Sequence, residues 1–172
     1  MRSSGSRVML ALLAAGAWAV APAHADDQVG WSGTGGPGRS MWEFQYSPYT
    51  LHFNPDPTHQ HVVLVALAHT DEGGRILGGA LFRNSFAQPC AYAFFGRRYV
   101  EPFGWRNVYW TWTAGIIYGY KPPHEHKVPL NWHGFSPVVV PTVGYQLTHH
   151  MAVQAALLGT AGMMFSIVLK TW

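Results

Sequence analysis

"NVYWTWTAGIIYGYK", Asn107 to Lys121, decides the fold. Trp110, Trp112, Ala114, Ile116 and Tyr118 fall on one side of an extended chain, and Tyr109, Thr111, Thr113 and Gly115 on the other. A strand sends successive side chains to opposite faces. One face here is therefore bulky and apolar, the other smaller and more polar. "MMFSIVLKTW", Met163 to Trp172, repeats the pattern: Met163, Phe165, Ile167 and Leu169 alternate with Met164, Ser166, Val168 and Lys170. Period two with one lipid-like face marks a strand standing between lipid and a lumen.

The neighbouring sequence breaks into segments of the same size. They are Tyr49–Phe53, His61–Thr70, Arg75–Phe86, Cys90–Val100, Asn107–Lys121, Ser136–Thr148, Met151–Thr160 and Met163–Trp172. Eight is the smallest even number for a membrane barrel, and most of the segments match the ~9–11 residues of a tilted spanning strand. Trp105, Tyr109, Trp110, Trp112, Tyr118 and Tyr120 could supply interfacial girdles.

Composition points the same way. Only 11% of the 172 residues are charged and 15% are aromatic, where a soluble domain has about 25% charged. No run after the leader reaches the ~20 apolar residues of a membrane helix. The leader has Arg2 and Arg7 ahead of an apolar Val8–Val20 stretch, then Ala23-His24-Ala25 as a small-x-small cleavage site. That is a secretory signal peptide over residues 1–25. Losing it leaves 9 of the 11 Lys+Arg against 8 acids, so the basic pI is weak ground for a nucleic-acid partner. The single Cys90 excludes an intramolecular disulfide.

The expected fold is therefore all-β: an eight-stranded antiparallel transmembrane barrel over residues 49–172, behind an N-terminal segment at 26–48. That segment is Gly-rich to Ser40, and "MWEFQY" (Met41–Tyr46) reads either as a short amphipathic stretch at the interface or as a first strand. A secreted soluble sandwich or lipocalin-like barrel is the competing class.

Alternating turns order the ends. If the chain enters from the periplasm, "NPDPTHQ", "AQP" and "PPHEHKVPLNWHG" face outward, and His52 shares a rim with Asn84 and Ser85 of "LFRNSF". Below that rim Gly78, Gly79 and Ala80 would leave room for a linear apolar ligand. A histidine can activate a hydroxyl for attack on an ester carbonyl, with neighbouring donors holding the oxyanion. His124, His126 and His133 with Glu125 could ligate zinc in principle, but H-x-H residues in an exposed loop are more often solvated, so no metal is expected.

These residues resemble the lipid A palmitoyltransferase (PagP) family of outer-membrane enzymes. The family has a His after its first strand, as His52 stands in "YTLHF", and an "F-K-D-S-W" stretch ending its third, where this chain has "FRNSF" (Phe82–Phe86). Its "T-A-G" and "P-L-x-S-V-G-Y" stretches match Thr113–Gly115 and "VVVPTVGYQ" (Val138–Gln146). The resemblance implies an eight-stranded barrel after a short amphipathic helix, a bacterial outer-membrane location, and transfer of a palmitoyl chain from a phospholipid to lipid A. It implies His52 as general base, Ser85 as the residue that positions, polarises or carries the acyl group, Asn84 as an orienting or donating group, and Gly96 as the floor that sets chain length. No cofactor is implied, and a monomer is expected. The family's acid is Asn84 here, so a needed charge would have to come from Asp56 in the first outer loop, which is also shorter than the family's usual one. The alternatives are a non-enzymatic structural or binding barrel and a lipid A deacylase. A deacylase uses an H-x-S pair on a late strand, which this chain lacks.

Overall fold

The computed structural model describes residues 37–54 and 60–171. Eight strands follow one another: β1 Met41–His52, β2 Leu64–Thr70, β3 Arg75–Arg83, β4 Pro89–Val100, β5 Val108–Tyr118, β6 Phe135–Thr148, β7 Met151–Leu157 and β8 Gly162–Lys170. Each pairs antiparallel with its sequence neighbour, and β1 pairs with β8 to close the barrel. Closure gives every strand a partner on both sides, the condition for β-structure in lipid.

The outer surface is a continuous apolar band. Phe44, Leu67, Leu77, Leu81, Phe95, Val139, Phe165, Ile167 and Leu169 all lie exposed on it. An apolar patch of that extent has no place on a water-soluble monomer. The chain is a transmembrane β-barrel. On β5 Trp110, Ile116 and Tyr118 face out while Tyr109 and Thr111 are buried inside, as the alternation requires.

The barrel begins at Met41, not at Tyr49. Met41 to Ser47 pair with Thr70 to Leu64 of β2, with Met41 and Glu43 turned inward and Trp42, Phe44 and Tyr46 outward. "MWEFQY" is thus strand, and no amphipathic helix precedes the barrel within the described residues. The same alternation serves either structure over six residues; pairing with β2 decides it. The leader expected over residues 1–25, and residues 26–36 after it, lie outside the described residues. Most strands are also trimmed relative to the sequence expectation, β2 starting at Leu64 and β3 ending at Arg83.

β1 contains one irregularity with large consequences. Tyr46 pairs with Ile167 and Tyr49 with Phe165, so Ser47 and Pro48 together face Ser166. This is a β-bulge. Before it, odd-numbered residues point inward; after it, Thr50 and His52 do.

Two seams open at the end of the barrel that carries His52, here called the mouth. β1 has no partner on β2 beyond Ser47, and β6 has none on β7 before Thr142. Pro48, Pro137 and Pro141 fall in these stretches. Proline has no N–H, so fewer donors are left unmet there.

Candidate active site

The lumen has two halves. Toward the base, where both barrel termini lie, it is plugged by charge. Arg98 Nη1 donates to Glu43 Oε1 at 2.6 Å, and Lys170 Nζ lies 3.7 Å from the same oxygen. Thr70 Oγ1 donates to Glu43 Oε2 at 2.8 Å, Arg98 Nε to Thr111 Oγ1 at 3.3 Å, and Lys170 to Gln146 Oε1. Arg98 and Lys170 also lie 4.4 and 4.7 Å from the centre of the Tyr109 ring. Buried charges survive in such a place only when paired and hydrogen-bonded.

Toward the mouth the lumen is apolar. Val62, Ala156 and Met164 form one buried patch, and Ala66, Ala80 and Tyr92 another, with Leu64, Phe82 and Val140 against both. These residues line a cavity of about 550 Å³ that runs from His52 and Ser85 down to Glu43 and Arg98. That is within the ~300–1,000 Å³ of ordinary ligand sites. Small side chains at 66, 68, 80 and 156 make the space.

His52 and Ser85 meet at its rim. His52 Nε2 lies 2.7 Å from Ser85 Oγ, although 33 residues separate them in sequence. The bulge at Pro48 delivers the histidine to this point; the β3–β4 turn delivers the serine. Asn84 builds that turn. It is 1% exposed, and its Oδ1 accepts the backbone N–H groups of Phe86 and Gln88, each at 3.0 Å. Its Nδ2 donates to Gln88 Oε1 at 3.1 Å. Asn84 therefore holds the loop that presents Ser85, and its amide is spent on the turn rather than directed at a reacting group. The serine's own carbonyl accepts Gln60 N–H at 2.8 Å, which ties the chain entering β2 to the same loop. Asp56 lies outside the described residues.

The glycine expectations are corrected in three ways. Gly79 is on the outward face of β3 and lines no part of the cavity. Gly78 does face inward, but Phe94 fills the space over it: a Cβ there would lie 2.8 Å from Phe94 Cζ and 2.7 Å from Ala68 Cβ. Gly96 is not an open floor. Its Cβ would lie 2.1 Å from the Trp112 carbonyl oxygen and 2.9 Å from Thr113 Cα, so the glycine lets β4 and β5 come close. The floor is the Glu43–Arg98 group with Thr111 and Ala68.

Several lining residues escaped the sequence reading. Thr50 Oγ1, one inward step below His52, is buried without a hydrogen-bond partner in the protein and faces a cavity-lining position. Tyr120, above the end of β5, also lines the mouth. Burial, and secondarily the neighbouring Cys90, pushes its phenol up to about 12, so it stays a neutral donor. The β5–β6 connection folds over the opening. Phe86 stacks on His124 with ring centres 3.9 Å apart, Lys127 Nζ lies 5.5 Å from the Phe86 ring, and Ser136 donates to the Pro129 carbonyl. His126 sits 3.6 Å from Glu125. Among the described residues no three His, Cys, Asp or Glu side chains gather as a metal site.

No family model and no curated protein matches the chain. Among solved structures, one described as "De novo design of transmembrane beta-barrels" is similar over 78% of this chain and 96% of its own, with a TM-score of 0.49 and 13% identity.

Proposed function

We propose that this barrel is a bacterial outer-membrane acyltransferase that moves a palmitoyl chain from a phospholipid to lipid A. The observation that carries the reading is the 2.7 Å contact between His52 Nε2 and Ser85 Oγ at the rim of an apolar, chain-sized cavity. A base, a hydroxyl and a slot for an alkyl tail are what ester exchange in a membrane needs. The resemblance of "YTLHF" and "FRNSF" to the palmitoyltransferases gives the substrates.

The donor lies with its acyl tail in the cavity and its ester at the rim. With the proton on Nδ1, His52 Nε2 takes the Ser85 hydroxyl proton as Oγ attacks the ester carbonyl. The lysophospholipid alkoxide leaves and takes that proton back from His52. An acceptor hydroxyl on lipid A then repeats the exchange: its proton passes to His52, its oxygen joins the acyl carbon, and Ser85 Oγ leaves and is reprotonated. One ester is broken and one made, so no cofactor or net oxidant is needed. The seams beside Pro48 and beside Pro137–Pro141 give tails a sideways path from the membrane. The charged floor stops water and ions from following the lumen through.

The test is mass spectrometry of lipid A from Gram-negative cells expressing the protein. A gain of one palmitoyl mass, lost with Ser85→Ala, is the expected result. An unchanged lipid A would favour a structural or binding barrel, and loss of an acyl chain a deacylase.

A further inference from the structure

Lys127 stands where a ligand's head would sit. Among the residues lining the cavity only Glu43, Arg98 and Lys127 carry a permanent charge, and Glu43 and Arg98 are paired at the floor, where Lys170 shares the same carboxylate. Lys127 is at the opposite end, exposed, with its ammonium 5.5 Å from the ring of Phe86, the residue after Ser85. Among the described residues no carboxylate pairs with it; the nearest acid in sequence, Glu125, faces His126 at 3.6 Å. The segment is held in place by the Phe86–His124 stack, by the Lys127 N–H to His124 carbonyl bond of 3.1 Å, and by Ser136 to the Pro129 carbonyl. Lys121 and Arg83 add two more cations to the same end of the barrel. The result is an apolar slot with a fixed positive charge at its opening.

We infer that Lys127 is a specificity-determining residue that binds the phosphate of an amphiphile whose tail occupies the cavity. This rests on the acyl-transfer reading for its role in turnover, but the binding itself does not depend on catalysis. In a glycerophospholipid the phosphate lies a few bonds from the ester, so a lysine beside the Ser85 loop can hold one while the ester is at the hydroxyl. A compact ammonium suits a phosphate as a point charge, and a charge-assisted hydrogen bond is about twice as strong as a neutral one. Lys127 would thus favour phospholipid donors over neutral glycerides, and would fix the depth at which the ester stops.

The test uses the folded barrel in a non-ionic amphipol and three probes: dodecyl phosphate, dodecyl maltoside and inorganic phosphate. Calorimetry should give dodecyl phosphate about a tenfold tighter Kd than dodecyl maltoside. K127Q should remove that preference, K127R should keep it, and inorganic phosphate alone should bind far more weakly than the amphiphile. Ser85→Ala should bind as the native protein does, which separates this claim from the chemistry. In turnover, K127Q should raise KM for a phospholipid about tenfold at similar kcat and leave cleavage of 4-nitrophenyl palmitate unchanged. Equal affinity for the two amphiphiles, a preference that survives in K127Q, or equal binding of free phosphate would each overturn the inference. A native protein that prefers dodecyl phosphate but transfers no acyl chain would keep the lysine's role in binding and sink the enzyme.

Discussion

Ser47 Oγ lies 2.7 Å from Ser166 Oγ, at the point where β1 carries one residue more than β8. Gln45 Nε2 reaches both hydroxyls, at 3.1 and 3.0 Å. This polar knot fixes a bulge that reverses which side chains of β1 face the lumen. Deleting Pro48 removes the extra residue, and one-to-one pairing with β8 then keeps Tyr49 and Leu51 outward and Thr50 and His52 inward. The expected outcome is a folded barrel that retains acyl transfer. Heat-modifiable gel mobility reports whether the barrel still folds, and a folded deletion that loses transfer would mean that the bulge itself, and not the facing it sets, positions His52.

His52→Ala and Ser85→Ala should each lower transfer by ~10²–10⁴-fold, the usual loss for a general acid–base partner. The double variant should lose little more than either single one, because the two act as a unit. Initial rates with a defined phospholipid donor measure all three. Additive losses in the double variant would mean that the contact is incidental.

Asn84 makes a prediction of a different kind. Asn84→Ala strips the acceptor from the N–H groups of Phe86 and Gln88, and should destabilise the loop by about 1–3 kcal/mol. Asn84→Asp keeps that acceptor, so its activity should stay near native while Asn84→Ala falls. Urea unfolding and initial rates together separate the two. If Asn84→Asp is as impaired as Asn84→Ala, the turn hydrogen bonds are not what matters.

Chain length should respond to the floor and not to Gly96. Gly96→Met should prevent close pairing of β4 with β5 and lower the yield of folded barrel. Ala68→Leu, beside Glu43 in the register, should instead shorten the slot. Each excluded CH₂ is worth ~0.8 kcal/mol, so two or three shift donor preference more than tenfold. The measurement is the acyl mass added from mixed-chain phospholipids. An unchanged chain length in folded Ala68→Leu would move the floor elsewhere.

The charged plug bears on stability. Glu43→Gln leaves Arg98 and Lys170 buried without their shared carboxylate. Breaking one partner of a buried pair costs about 3–5 kcal/mol, and equilibrium unfolding in a folding-competent detergent should register it. A loss below 1 kcal/mol would mean that water reaches the cluster.

Much of this was legible in the sequence because the membrane imposes period two on every strand. Trp110 and Phe165 had to face out, and Thr111 and Ser166 in. The same rule, applied strictly, forbids Gly78 and Gly79 from both lining a cavity, since neighbours in a strand face opposite ways. Glu43, Arg98 and Lys170 were also flagged in principle: ionisable residues inside spanning segments seldom stand alone. Their partnership was hidden because it joins β1, β4 and β8, which only closure brings together. Starting β1 at Tyr49 concealed the bulge, so His52 was placed at the rim without the device that aims it. Asn84 orients Ser85, but through the commoner use of an asparagine, bonding its own backbone in a turn.

The most direct test of the account is the lipid A of one host strain carrying either the native protein or Ser85→Ala, compared by mass spectrometry at matched levels of folded barrel. Transfer by the His52–Ser85 pair requires a species heavier by one palmitoyl chain with the native protein, and its absence with the variant. The same added mass in both samples, or in neither, would contradict it.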